Sequence, residues 1–152
     1  MPWVEKELVA RLNGNRLDNV IRWDKETDDL ALNNQSFDAI VFVLGYYDLY
    51  HTAKDWHINK DDFLAQLTTS LKVGGKLLIV DHSAVSGSGT EHSQKLHRID
   101  ANFVKNELIG KGYTLIKESN ILANSKDNRM GSPFSKEMRR KTDRFFLLFE
   151  KK

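Results

Sequence analysis

Imidazoles and carboxylates gather at three points of the chain: Tyr47 and Asp48 with His51, Asp81 with His82, and His92 with His97, Arg98 and Asp100. The first two groups directly follow apolar runs, Ala39–Leu44 and Lys76–Val80, whose length and branched content predict strands. Ligands in open parallel sheets sit beyond the carboxyl ends of the strands, which would bring these residues to one rim. An imidazole next to a carboxylate suits general-base chemistry. His82 or His51 would take a proton from a hydroxyl or amine, with Asp48 or Asp81 orienting the ring. Tyr47, His97 and Arg98 are placed to hold a substrate. The plainer reading, caps and local hydrogen bonds, stands beside this one, and Asp100 is well explained as a helix N-cap. A metal is not expected, because the spacings of 10 and 5 between His82, His92 and His97 match no compact ligand motif. Ser83 has no nucleophile elbow around it. The absence of cysteine excludes disulfides, thiolate ligands and a Cys nucleophile.

The elements that must position these residues alternate along the chain. Trp3, Val4, Leu8 and Leu12 recur at helical spacing over residues 3–13, with Gly14 as a stop. Residues 19–24 read as a short strand. Ala39–Leu44 reads as a strand buried on both faces, the habit of parallel sheets. Asp61 or Asp62 can cap a helix that presents Phe63, Leu64, Leu67 and Leu71, and Gly74-Gly75 turns that helix into the next strand. Asp100 opens a further helix with Phe103, Val104, Leu108 and Ile109 inward. Tyr113–Ile121 and Arg144–Lys151 finish as strands, joined by a segment whose six Lys or Arg over residues 122–142 read as a mobile, solvated connection. Strands separated by helices predict βαβ units and a mostly parallel sheet in a single domain over residues 1–152.

Composition is that of an ordinary globular protein. Of the 152 residues, 40% are hydrophobic and 29% charged, and the net charge of +2 singles out no polyanionic partner. No nucleic acid is expected. No apolar run approaches the ~18 residues of a membrane span, and residues 1–8 lack the apolar core of a signal peptide. A cytoplasmic location is expected, unless an export signal precedes Met1.

Ser36–Phe42 and Phe63–Asp81, with the Leu71-Lys-Val-Gly-Gly75 turn (Val73 where many members have proline), are similar to the fourth strand, following helix and fifth strand of class I S-adenosylmethionine-dependent methyltransferases. Asp81–Ala84, Leu96–Asp100, Glu118–Asn124 and Thr142–Phe146 resemble a group of bacterial predicted methyltransferases. The resemblance covers roughly residues 5–152. It implies an α/β, three-layer, mostly parallel Rossmann-like sheet with an antiparallel C-terminal strand. The family's strand order is 3-2-1-4-5-7-6, and its first two strands have no counterpart in this sequence.

From the resemblance, Asp24 stands where an acidic residue after the third strand contacts adenine, and Leu44, Gly45 and Tyr46 where residues line the methionine part of the cofactor. The Gly-x-Gly loop and the acidic residue that holds the ribose have no counterpart. Gly87-Ser-Gly89 reads instead as a flexible loop. The implied activity is methyl transfer from S-adenosylmethionine to a small molecule, weak or absent in the isolated chain. The alternative is a binding module that keeps the scaffold without the chemistry. The edge of Ala39–Leu44 would then be bare. Either residues 20–23 slide in beside it, or two copies pair through it as a homodimer.

Overall fold

The computed structural model describes residues 2–152, with side chains from Glu5 onward. Helix α1 spans Pro2–Leu12, so the expected apolar positions Trp3 and Val4 lie outside the described side chains. Strand β1 is Phe37–Val43, α2 Lys60–Ser70, β2 Leu71–His82, α3 Ser93–Leu96, α4 Ala101–Gly110, β3 Tyr113–Ser119 and β4 Arg144–Lys151. The four strands form one mixed sheet in the order β1-β2-β4-β3. Strand β1 runs parallel to β2, while β4 is antiparallel to both β2 and β3. The expected α/β sheet with an antiparallel C-terminal strand is therefore present.

Alternation along the strands gives the sheet two unlike faces. Leu77 and Ile79 of β2 and Phe145, Leu147 and Phe149 of β4 point to one face and are buried. There they pack with Leu64 of α2, Leu71 at its end, and Val104 and Leu108 of α4. Each helix brings residues spaced by three or four to that face. Helix α4 begins where expected, with the Asp100 carboxylate accepting from Asn102 N. In α2 the cap lies earlier than expected: Asn59 accepts from Asp62 N, which leaves Asp61 and Asp62 in the first turn, a favourable place for negative charge. Lys151 Nζ, at the end of β4, donates to the carbonyls of Thr68 and Leu71 and closes the C-terminus of α2.

Gly74-Gly75 does not end the helix. The helix stops at Ser70, and the two glycines form an irregularity inside β2, where the β1–β2 register jumps from Phe37↔Leu71 to Ala39↔Lys76. Gly74 has φ +76°, and a Cβ on Gly75 would lie 2.7 Å from the Lys72 carbonyl oxygen. Neither position accepts a side chain without strain.

Two strand expectations are corrected. Residues 20–26 have no regular secondary structure, and no strand lies beside them to complete a ladder. The segment instead belongs to a loop that reaches α2, where Gln66 Nε2 donates to Thr27 O and Leu30 N donates to Gln66 Oε1. Residues 20–23 therefore do not cover β1, which is an edge strand among the described residues. Nor is Ala39–Leu44 buried on both faces. Ile40 and Phe42 pack on the core, whereas Val41 and Val43 on the other face are 62% and 51% exposed.

Candidate active site at the carboxyl ends of the strands

The loop joining β3 to β4 is pinned, not mobile. Arg98 is fully buried, and its guanidinium lies 2.9 Å from the Asp127 carboxylate. Arg98 Nε donates to Gly131 O and Nη1 to Ser83 O. Asp127 accepts in turn from the amides of Asp143 and Arg129. Burial pushes its carboxyl up, but these amides and the Arg98 guanidinium outweigh that and hold it below the usual range. Arg129 pairs with Asp143, whose other oxygen accepts from Asn124 N. The three sequence blocks around Arg98, Asp127 and Asp143 thus form one hydrogen-bonded and ionic knot that folds the loop over the ends of β2 and β4. This corrects the expectation for Arg98, which holds the loop and has no surface to offer a substrate.

His82 ends β2 directly opposite Arg144, the first residue of β4. Opposed residues of an antiparallel pair share a face, so both side chains project on the side away from the helices. The His82 Nδ1 is 2.8 Å from Thr142 Oγ1, which leaves Nε2 as the uncommitted ring nitrogen. Burial and the nearby Arg98 and Arg144 charges push the imidazole down to about 4, so the ring is neutral at pH 7. His82, Leu44, Thr142 and Arg144 line a pocket of about 520 Å³ that Pro133, Phe134, Arg139 and Arg140 complete. A slightly larger recess, about 590 Å³, lies in the loop of residues 23–29 and carries none of these groups.

Next to His82, Tyr47 and His97 meet edge-to-face at 5.4 Å, and His97 lies 4.9 Å from both the His51 and the Phe134 rings. Burial and the neighbouring His51 lower the His97 imidazole, and burial raises the Asp48 carboxyl. The sequence therefore placed Tyr47, His51, His82 and His97 correctly on one rim. The expected imidazole–carboxylate pairs are not made. Asp81 accepts instead from Tyr47 N at 3.1 Å and His82 N at 2.7 Å, and fastens the turn after β1 to β2. Its burial pushes the carboxyl up to about 7 against the pull of those amides. Asp48 has no imidazole hydrogen bond either, and among the described residues no group of three or more His, Asp or Glu is arranged to hold a metal.

The turn after β1 is shaped by close packing. Leu44 has φ +55° and donates its amide to Val80 O, and a Cβ on Gly45 would meet the Phe42 ring at 2.8 Å. Tyr46 then turns inward and is fully buried, its Oη donating to Glu107 Oε2 at 2.6 Å, while Tyr50 Oη donates to Glu107 Oε1 at 2.5 Å. Replacing Glu107 by leucine strands both hydroxyls. A loss of about 2–3 kcal/mol in urea unfolding is expected, and Tyr46→Phe should lose roughly half of that.

The sequence reading missed Phe134, Arg139, Arg140, Thr142 and Arg144 as pocket residues. Only the β2–β4 register brings Arg144 and Thr142 to His82, although the Thr142–Phe146 block had already stood out.

No protein-family model and no curated protein matches the sequence. Solved structures do. A S-adenosylmethionine-dependent methyltransferase from Aquifex aeolicus superposes with TM-score 0.59 at 16% identity, over 95% of this chain and 60% of that one. One from Mesorhizobium loti gives 0.55 at 12%, over 96% and 76%. The [4+2]-cyclase SpnF gives 0.52 at 12%, over 84% and 54%. The β1-β2-β4-β3 order with β4 alone reversed is the 4-5-7-6 portion of the order expected from the resemblance. The chain has the class I methyltransferase fold. It spans about three fifths of the length of the Aquifex protein, and the cyclase shows that the methyltransferase fold does not by itself name a reaction.

The described residues do not by themselves form a cradle for the cofactor that this methyltransferase fold implies. Asp24 pairs with Arg22 in the exposed loop that enters β1 at its amino end, with the whole of β1 between it and Leu44. The Tyr46 side chain is committed to Glu107 in the core, so only its backbone faces the rim. Leu44 lines the pocket, but no carboxylate does. Gly87 and Gly89 are not a ligand loop either. Gly87 N donates to Asp100 Oδ2 and Gly89 O accepts from Asp100 N, which fastens the turn to the start of α4.

Proposed function

We propose that the chain is the acceptor-binding side of an S-adenosylmethionine-dependent methyltransferase acting on a small molecule. The observation that carries this reading is the strand order, with β4 reversed between β2 and β3 and a pocket at the strand ends. In that pocket the neutral His82 presents Nε2 to the acceptor's hydroxyl or amine, and Thr142 fixes the ring. With its pKa near 4, His82 acts as a hydrogen-bond partner more than as a strong base. Tyr47 lies beside it at 6.3 Å between ring centroids and connects it to His97 and, through His97, to His51. Asp48 and Asp81 shape the turn that carries Tyr47.

Calorimetric titration of this chain with S-adenosylhomocysteine tests the cofactor side. No saturable binding is expected below about millimolar concentration, because the pocket beside Leu44 offers neither a carboxylate nor a glycine turn. Micromolar affinity would overturn the claim that the described residues lack a cradle.

The open edge of β1, with exposed Val41 and Val43, favours a second reading: an interaction module that pairs as a homodimer through this edge. The reading frame ahead of Met1 separates the two. An in-frame strand followed by Gly-x-Gly supports the methyltransferase, and a stop codon directly upstream supports the module.

A further inference from the structure

The basic residues around the pocket divide into two sets. Arg98 and Arg129 are matched by Asp127 and Asp143, which uses up the carboxylates of the β3–β4 loop knot. Arg139, Arg140 and Arg144 have no ion-pair partner among the described residues, yet all three line the same pocket. Arg144 Nε is buried and has no hydrogen-bond partner among the described residues. Arg144 is half-buried as a whole, so this one donor is cut off from solvent while the rest of the guanidinium stays open to the pocket, and a buried donor is costly unless a partner completes it. Arg140 is also held at φ +66°, a conformation that a non-glycine residue rarely adopts.

The same pocket is also lined by the apolar side chains of Leu44 and Phe134, the latter 65% exposed. A volume of about 520 Å³ is in the range that holds a small ligand. Guanidinium forks match the paired oxygens of carboxylates and phosphates. The neutral His82 adds a hydrogen-bonding nitrogen without repelling or neutralising the ligand.

We propose that this pocket binds a small molecule carrying a carboxylate or phosphate on an apolar, planar body, with Arg144 at its base, Arg139 and Arg140 at its rim, and Phe134 against its face. That this molecule is a methyl acceptor rests on the function proposed above. The anion binding itself does not, because it needs no cofactor.

The test titrates the purified chain, without S-adenosylmethionine, with phenyl phosphate, benzoate and benzyl alcohol, followed by calorimetry and by the arginine Nε–H signals in NMR. The anions are expected to saturate with at least tenfold tighter binding than the alcohol and to shift the Arg144 Nε signal. The tighter of the two anions identifies the headgroup. Arg144→Gln, and separately the exposed pair Arg139→Gln with Arg140→Gln, should each weaken the anion at least tenfold. Lys72→Gln, which removes a charge paired with Asp38 at the other end of β2, should leave it unchanged. Equal affinity for the alcohol, equal loss in the Lys72 variant, or no saturation by either anion would overturn the inference. Each of these results leaves the cofactor titration untouched, so the two readings fail separately.

Discussion

Arg98→Met is expected to lower the stability of the chain by about 3–5 kcal/mol, the usual loss when one partner of a buried ion pair is removed. The guanidinium has no exposed surface and makes three kinds of contact: the charge pair with Asp127 and the bonds to Gly131 O and Ser83 O. Methionine fills the space but leaves the Asp127 carboxylate buried with only its two amide donors, and removes the donor from the buried Ser83 carbonyl and the part-buried Gly131 carbonyl. Part of the loss should be local. The loop from Asn124 to Asp143 is held through this knot, so the Arg129 and Asp143 amides should lose protection from hydrogen exchange before the core strands do. Arg98→Lys keeps the charge but not the fork, and should fall between the two. Urea unfolding with exchange mass spectrometry checks both effects. A loss under about 1 kcal/mol with Asp143 still protected would show that the loop is held by other contacts.

The second large effect is a pH dependence. His82 falls from 6.5 when unfolded to about 4 in the fold, so the unfolded chain binds the proton more readily. The stabilisation is complete above pH 6.5, is lost as pH falls toward 4, and is gone below it. At about 1.4 kcal/mol for each pH unit between these values, the amount is ~3 kcal/mol. Asp81 acts in the opposite direction. Its carboxyl rises from 3.8 to about 7, which favours the fold at low pH and less so as pH rises through 7. The two oppose one another between pH 4 and 6.5, so the unmodified chain should show a shallow profile that hides both. Comparison with His82→Asn isolates the imidazole. The stability difference between the chain and this variant should change by ~3 kcal/mol between pH 7.5 and pH 4, with the unmodified chain losing ground at low pH. A difference that stays constant across this range would mean that His82 keeps an ordinary titration in the fold.

His51 and His82 were legible in the sequence because they follow apolar runs, and the end of a run is the end of a strand, whereas His97 reaches the rim from the end of α3. Val104 and Leu108 on α4, its Asp100 cap and the β4 boundaries were legible from local pattern as well, whereas Ile109, expected inward, is 46% exposed. The segment over residues 19–24 misled, because Val20, Ile21 and Trp23 favour extended chain but a strand exists only with a neighbour to bond. The β3–β4 loop misled in the opposite sense. Its composition is that of a solvated connection, yet Asp127, which is unremarkable in sequence, neutralises an arginine from 29 positions away.

The sequence by itself determined the order of strands and main helices from Ala39 onward, the core contacts of Leu64 and Leu67 on α2 and of Val104 and Leu108 on α4, and the placement of Tyr47, His51 and His82 after strand ends. These follow from periodicity and capping, which act over a few residues. Only the tertiary structure decided what those residues touch. The antiparallel return of β4 sets Arg144 and Thr142 beside His82, and the Arg98–Asp127 knot brings Phe134, Arg139 and Arg140 over it. It also turned Asp81, Tyr46 and Arg98 from site candidates into parts of the frame. Strand register and buried charge pairing join residues distant in the chain, and no local pattern records which of them will meet.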